Sequence, residues 1–399
     1  MAEDISSRFS TTQQVFIGLQ HTLAMLGATV LVPVLTGLNV SATLFAVGAG
    51  TLIFHAFTKG RVPGFLGSSF AFIAPIVLAA DRLGLREAQA GIIGAGLVYV
   101  LVGWIVQLVG PARVRSIFPP VVTGPVIMVI GLALAPVAIG SAQTNWGVAA
   151  LTLLAVVAIA IFARGFLRVI PILLGLVVGY VAAMVFGIVD YSPIAEAGWL
   201  GLPGFTLPVF SWEVLLIVTP AAIVSIIEHI GDILAIGNTI DRDMTGDPGI
   251  PATLYGGGVA TVLSGLLGGP SLTTYGENIG VLALTKIYAT FVVSMGAVWA
   301  LVMAFIPKVE GVILSIPDPV IGGVSILLYG MIAGVGIRTL IENRVNLLVP
   351  RNLIVVSVVL IVGVGGVAIE PFEGFELSAM VVAAVAGILL NQLLPRTVE

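Results

Sequence analysis

The sequence predicts an all-α polytopic membrane protein of about fourteen transmembrane segments, arranged as two inverted seven-segment repeats. Three observations carry this: the composition, the sidedness of the basic residues and an internal similarity between the halves. Of 399 residues, 58% are hydrophobic and 9% charged, against about 25% charged in an average soluble domain. So few charges cannot coat a water-facing surface of this size, and a mean hydropathy of +1.17 agrees. The absence of Cys excludes a disulfide scaffold, and a net charge of −4 argues against a nucleic-acid partner. The apolar content excludes disorder.

A spanning helix takes about 20 residues, so the chain holds at most roughly 14 to 16 spans and no large soluble domain beside them. Apolar runs broken by polar or Gly/Pro positions give, in order, 13–35, 41–57, 70–85, 88–109, 119–139, 147–163, 168–187, 212–236, 251–268, 276–285, 287–306, 319–341, 352–368 and 376–394. The third and tenth are too short to cross as plain helices. The polar start, with Glu3, Asp4 and Arg8, lacks the basic region and cleavage site of a signal peptide, so the first span is expected to be retained. The 49 Gly and 22 Pro suit close helix approach and interrupted helices. Such a bundle is more like a transporter than a simple anchor.

With the N-terminus inside, thirteen of the sixteen basic residues fall on the cytoplasmic side, Arg113, Arg115, Arg344 and Arg396 among them. Only Arg82, Arg86 and Lys308 fall outside. This asymmetry follows the positive-inside rule, and one missing span in the middle would destroy it. Asp190, Glu196, Glu213, Glu370, Glu373 and Glu376 gather outside. Both termini, 1–12 and 395–399, are therefore expected to be cytoplasmic.

The run from Phe118 to Gly131 resembles that from Ile316 to Gly330, aligning Pro120 with Pro319, Gly124 with Gly323 and Gly131 with Gly330. Gly/Val/Pro-rich spans can resemble one another by chance. The alternative is two seven-span halves, the second inverted because seven is odd. In such folds, short Gly/Pro-interrupted segments at matching positions point to the binding site. Here they are 66–85 and 268–285. The run before each half-helix reads as extended backbone, so two short antiparallel strands, in segments 3 and 10, would satisfy each other's amides in mid-membrane. The half-helix N-termini would then face a ligand.

A charge at a span centre costs about 2.5–3.5 kcal/mol on insertion scales. Glu228 and Asp232 stand four apart on one helical face, where mutual repulsion favours reversible protonation of one. They form either a pathway or a structural pair bonded to hydroxyl and backbone groups. Glu277 opens the half-helix of span 10, as a cap or as a ligand contact. His229 would bridge helices or touch substrate, and His21 would pack or take part. His55, beside Lys59, is expected outside the site. Phe70, flanked by Ser69, would be core or would stack on a flat ring; Tyr329 is similar. A mid-membrane site of acids, hydroxyls, amides and aromatics without Arg or Lys suits a neutral or cationic planar ligand with N–H donors.

The run from Glu277 to Lys286, Glu-Asn-Ile-Gly-Val-Leu-Ala-Leu-Thr-Lys, resembles the signature of the nucleobase–ascorbate transporter family. Leu19-Gln-His21, Gly67-Ser-Ser-Phe-Ala-Phe72 and Glu228-His-Ile-Gly-Asp232 support the resemblance, which covers essentially the whole chain and is strongest to bacterial uracil permeases. Glu at the first signature position is typical of uracil carriers, while purine carriers usually have Gln. The resemblance implies a core domain (13–109 and 212–306), a gate domain (110–211 and 307–394), a homodimer in the bacterial cytoplasmic membrane, and proton-coupled import by a core-against-gate elevator. No cofactor is implied beyond the coupling proton. Glu228 and Glu277 would accept the N–H groups of uracil, Phe70 would stack on the ring, the backbone at Gly276 and Tyr275 would meet a carbonyl, and Tyr329 would approach from the gate. Asp232 departs from the His of the uracil members and matches other branches, including purine carriers. It is thus the candidate for protonation, beside Glu228 and His21, and it keeps xanthine in view.

Two other classes remain: a passive channel or facilitator, and a sulfate-permease-type anion carrier, against which the three acids argue. An enzyme is disfavoured, because the sequence has no metal-spaced His/Cys cluster and no nucleophile motif.

Overall fold

The computed structural model describes residues 6–395 apart from 111, 112, 114, 115, 169, 367, 368, 373 and 374. Glu3, Asp4, Arg115, Glu373 and Arg396, named above, lie outside the described residues, as does the side chain of Glu376. The first half begins with α1 (Thr11–Thr36), α2 (Val40–Phe57), strand β1 (Leu66–Ser68), α3 (Ile73–Arg82) and α4 (Leu85–Val109). There follow α5 (Pro120–Ala133), α6 (Ala135–Ala142), α7 (Trp146–Phe162), α8 (Pro171–Val185) and the short α9 (Ser192–Glu196). The second half holds α10 (Trp212–Val218), α11 (Ala222–Ile240), α12 (Ile250–Leu267), strand β2 (Leu272–Thr274), α13 (Gly276–Thr285) and α14 (Thr290–Ala304). It closes with α15 (Pro307–Leu314), α16 (Asp318–Glu342), α17 (Pro350–Val364), a hairpin of β3 (Ile369–Phe372) and β4 (Phe375–Leu377), and α18 (Ala379–Leu393).

Among the described residues, seven helical segments are long and apolar enough to cross a membrane, or eight if the bent pair α14–α15 is one span. Helix ends follow local chemistry. Ser10 and Gln13 form a reciprocal capping box on α1, Gly37 ends that helix in the left-handed region (φ 77°), and the Ala42 N–H donates to Asn39 Oδ1 at 2.7 Å to start α2. Pro stands in the first turn of α5, α8, α16 and α17, where its missing N–H costs nothing.

The helices pack in two groups. α1, α2, α4, α12 and α14 pack on one another, and α5 to α8 pack with α16 to α18. Glycine sets the closest approaches. A Cβ on Gly96 of α4 would stand 2.7 Å from the Gly258 oxygen of α12, and one on Gly258 would stand 2.8 Å from the Gly96 oxygen. Gly124 of α5 and Gly336 of α16 cross in the same reciprocal way. In a bilayer, such backbone proximity supplies the van der Waals contact that holds helices together.

The two half-helices meet at a strand pair. β1 and β2 run antiparallel, with Leu66 opposite Thr274, Gly67 opposite Thr273 and Ser68 opposite Leu272. The ladder extends one step at each end: the Ser69 N–H donates to Ser271 O, and the Tyr275 N–H to Phe65 O. A two-stranded ribbon inside a membrane leaves both outer edges needing partners. A threonine supplies each. Thr51 of α2 accepts from the Leu66 N–H at 3.0 Å, and Thr261 of α12 accepts from the Leu272 N–H at 3.1 Å. Each hydroxyl also donates to the carbonyl of the same residue. The two halves thus brace their strands by one device.

Candidate functional site

The strands deliver the chain to two short helices aimed from the same place. β1 passes through a turn at Phe70–Phe72 into α3, and β2 passes through Tyr275 into α13. No side chain caps the N-terminus of α13, and Glu277 lies in its first turn. A Cβ at Gly276 would meet nothing within 4 Å, so open space adjoins the first residue of that helix. Free backbone N–H groups and a carboxylate therefore border one gap, a natural place for a polar ligand.

α11 packs on α13, β2 and α5. It brings Glu228 and Asp232 to the same region, where both interact electrostatically with Glu277. Glu228 and Glu277 are half-buried, and Glu228 Oε2 has no hydrogen-bond partner. Asp232 is 5% exposed and its Oδ2 accepts from Thr274 Oγ1 at 3.0 Å, which ties α11 to β2. The sequence-predicted acids are thus brought together. They differ in that Asp232 is engaged by the protein while Glu228 keeps a free oxygen.

The aromatics form a wall. The Phe70 ring stacks near that of Tyr275 (centroids 6.5 Å, planes at 20°) and meets Tyr329 of α16 edge-on at 5.8 Å. Tyr329 therefore joins the second helix group to the strand region of the first. The Tyr275 ring lies over Gly67, where any Cβ would come within 2.2 Å of it, and its hydroxyl donates to Ser68 O. The Tyr275 side chain is thus spent on the ribbon, and only its backbone is left to meet a ligand.

The histidines divide by their bonds. The Asn278 amide donates to Pro63 O at 2.8 Å, which fixes its oxygen as acceptor, so His21 Nδ1–H donates to it at 3.0 Å. Nε2 of His21 is then a buried acceptor without a partner. His55 lies between Gly64 O and Ser294 Oγ. His229 packs edge-on to Phe54 of α2 and Tyr99 of α4, and its Nδ1 lies 3.4 Å from Thr274 Oγ1 of β2.

Sequence reasoning missed the support behind the site. The Tyr99 hydroxyl of α4 donates to Ser225 Oγ at 2.7 Å, and Ser225 lies 3.1 Å from Ser69 Oγ, next to the Phe70 turn. Ser225 was detectable as a polar residue three before Glu228. Tyr99, one polar tip in a long apolar run, was not.

A helical bundle with segments long and apolar enough to cross a membrane, two half-helices springing from a buried strand pair, and three acids gathered there has the make-up of a multi-pass membrane protein. Residues 12–372 match the Permease family, and the chain belongs to it. It is 44% identical to a uracil permease of Bacillus caldolyticus over 407 aligned residues, covering 98% of this chain and 94% of that one. It is 42% identical to a uracil permease of Escherichia coli strain K12, covering 97% and 92%. The transmembrane domain of the cyanobacterium bicarbonate transporter BicA superposes with a TM-score of 0.70 at 17% identity, covering 93% and 96%. At that identity the likeness speaks to the fold alone.

Proposed function

We propose that the protein imports uracil with a coupling proton across a bacterial cytoplasmic membrane. The observation that carries the reading is Glu277 beside the open space at Gly276, at the uncapped start of a half-helix. A carboxylate accepts from a ring N–H, the backbone N–H groups of the helix start donate to a carbonyl oxygen, and Phe70 offers a flat face. Glu228 takes the second N–H with its unpartnered oxygen. Uracil permeases at 42–44% identity along nearly the whole chain support this substrate. Asp232 favours xanthine or another purine as the second reading, since purine carriers of the family share it.

In this reading the chain crosses in fourteen segments as two inverted repeats, and the matched Thr51 and Thr261 braces support that symmetry. The core comprises 13–109 and 212–306 and moves as an elevator against the gate, 110–211 and 307–394. The gate also carries the homodimer contact. The two packing groups, α1, α2, α4, α12 and α14 against α5 to α8 with α16 to α18, support this division for those helices. Asp232 carries the proton, with Glu228 and His21 beside it. The sidedness of the basic residues supports cytoplasmic termini.

Radiolabelled uracil uptake into proteoliposomes with an imposed pH gradient tests the reading. Uracil is expected to accumulate uphill, with little competition from adenine or ascorbate. Strong competition by xanthine with none by thymine would overturn the uracil assignment, and equilibration without accumulation would point to a facilitator. In the same assay Tyr99→Phe, which removes the donor to Ser225, is expected to raise KM about 3- to 10-fold with little change in maximal rate. That is the effect of roughly one hydrogen bond, about 1 kcal/mol.

A further inference from the structure

Between Glu196 and Glu213 the chain runs sixteen residues, 197–212, without a charge. All but the last precede α10, in non-helical backbone with a bend at Trp199 and Leu200. This strap is fastened to the ends of three long helices. The Gly201 N–H donates to Phe305 O just past α14, the Thr206 N–H to Leu267 O at the end of α12, and the Val209 N–H to Arg86 O at the start of α4. Arg86 Nε–H returns a bond to Leu207 O at 2.9 Å. The strap therefore lies level with the ends of membrane-crossing helices. Pro203 is buried, and Phe205 meets Phe45 edge-on at 5.1 Å. Exposed on the strap are Trp199 (76% exposed), Leu200 (84%), Leu202 (82%), Leu207 (70%) and Phe210 (63%).

We propose that residues 197–212 form an interfacial anchor, seated in the bilayer at the boundary between headgroups and acyl chains. Depth, composition and continuity carry the assignment. The strap runs on into Trp212, 74% exposed and the first residue of the segment Trp212–Ile240, so its exposed apolar residues are continuous with a segment apolar enough to cross. Non-helical backbone is not tolerated against hydrocarbon, whereas at the boundary water reaches the remaining amides. Trp is enriched at that depth, and Lys308, whose ammonium stands 5.9 Å over the Trp199 ring, places a cation where headgroups lie. An aqueous loop would have no use for five large exposed apolar side chains in so short a run.

The chain has no Cys, so Leu200→Cys gives a single labelling site for an environment-sensitive nitrobenzoxadiazole probe. In phosphatidylcholine vesicles, lipids with a nitroxide near the headgroup are expected to quench the probe at least twofold more strongly than lipids with it near the chain end. Leu202→Cys is expected to behave alike, and uracil uptake by each labelled variant checks that it is folded. Full quenching by aqueous cobalt with none by nitroxide lipids would overturn the proposal in favour of a water-exposed loop. Protection from both quenchers, with cross-linking of two chains through the same Cys, would overturn it in favour of a second copy covering the strap.

Discussion

Glu277→Gln is expected to raise the Kd for uracil about 10- to 100-fold while leaving the protein folded. The carboxylate is half-buried in the first turn of α13, beside the open space at Gly276. A hydrogen bond to a charged group contributes about 1.5–3 kcal/mol and a neutral one about 0.5–1.5 kcal/mol. Gln keeps an acceptor oxygen but loses the charge and turns an NH2 group toward the ligand. The helix N-terminus, which favours a negative charge there, also loses its partner. Neither loss touches the packing, because the bonds that fix this corner belong to Asn278 and the ribbon. Isothermal titration with uracil and xanthine, alongside a thermal melt, checks the expectation. Unchanged uracil affinity would remove Glu277 from the site. A gain in xanthine affinity would show that this residue sets pyrimidine against purine.

Much of this site was legible in the sequence because charge is so scarce. Once the basic residues are assigned to membrane sidedness, Glu228, Asp232 and Glu277 stand out as acids with no interfacial duty, and the structure brings all three together. The two short Gly-rich runs were legible for a related reason. A half-length apolar segment cannot cross, so its preceding backbone must find partners inside the protein. What stayed hidden is the direction of small polar side chains. Thr51 and Thr261 brace the ribbon, yet a Thr in a spanning helix also bonds back to its own helix, as Thr36 does to Val32 O. Sequence does not tell these cases apart. Asn278 sits beside Glu277 in the same motif, but its amide is consumed by Pro63 O and His21, so neighbours in sequence have different duties. The strap at 197–211 read only as a loop, because its meaning depends on where its amides are fastened.

Asp232→Asn should separate binding from coupling. The carboxylate accepts from Thr274 Oγ1 at 3.0 Å, and an Asn oxygen in the same place accepts that bond equally. The link between α11 and β2 therefore survives, and uracil binding is expected to change little. What the variant loses, in the proposed mechanism, is the group that would alternate between charged and neutral. In the proposed mechanism, protonation of Asp232 would remove its repulsion with Glu228, one turn away on the same face, and leave Glu228 ionised as an acceptor. Asn holds the neutral state permanently. Per proton, one pH unit corresponds to about 1.4 kcal/mol, enough to sustain a roughly tenfold uracil ratio across the membrane. Proteoliposomes carrying Asp232→Asn are expected to exchange labelled for unlabelled uracil at a rate near wild type, yet to fill only to an equal concentration on the two sides under that gradient. Accumulation that still tracks the imposed pH difference would assign the proton to another group. Glu228 and His21, whose Oε2 and Nε2 lack partners, would then be the next to test.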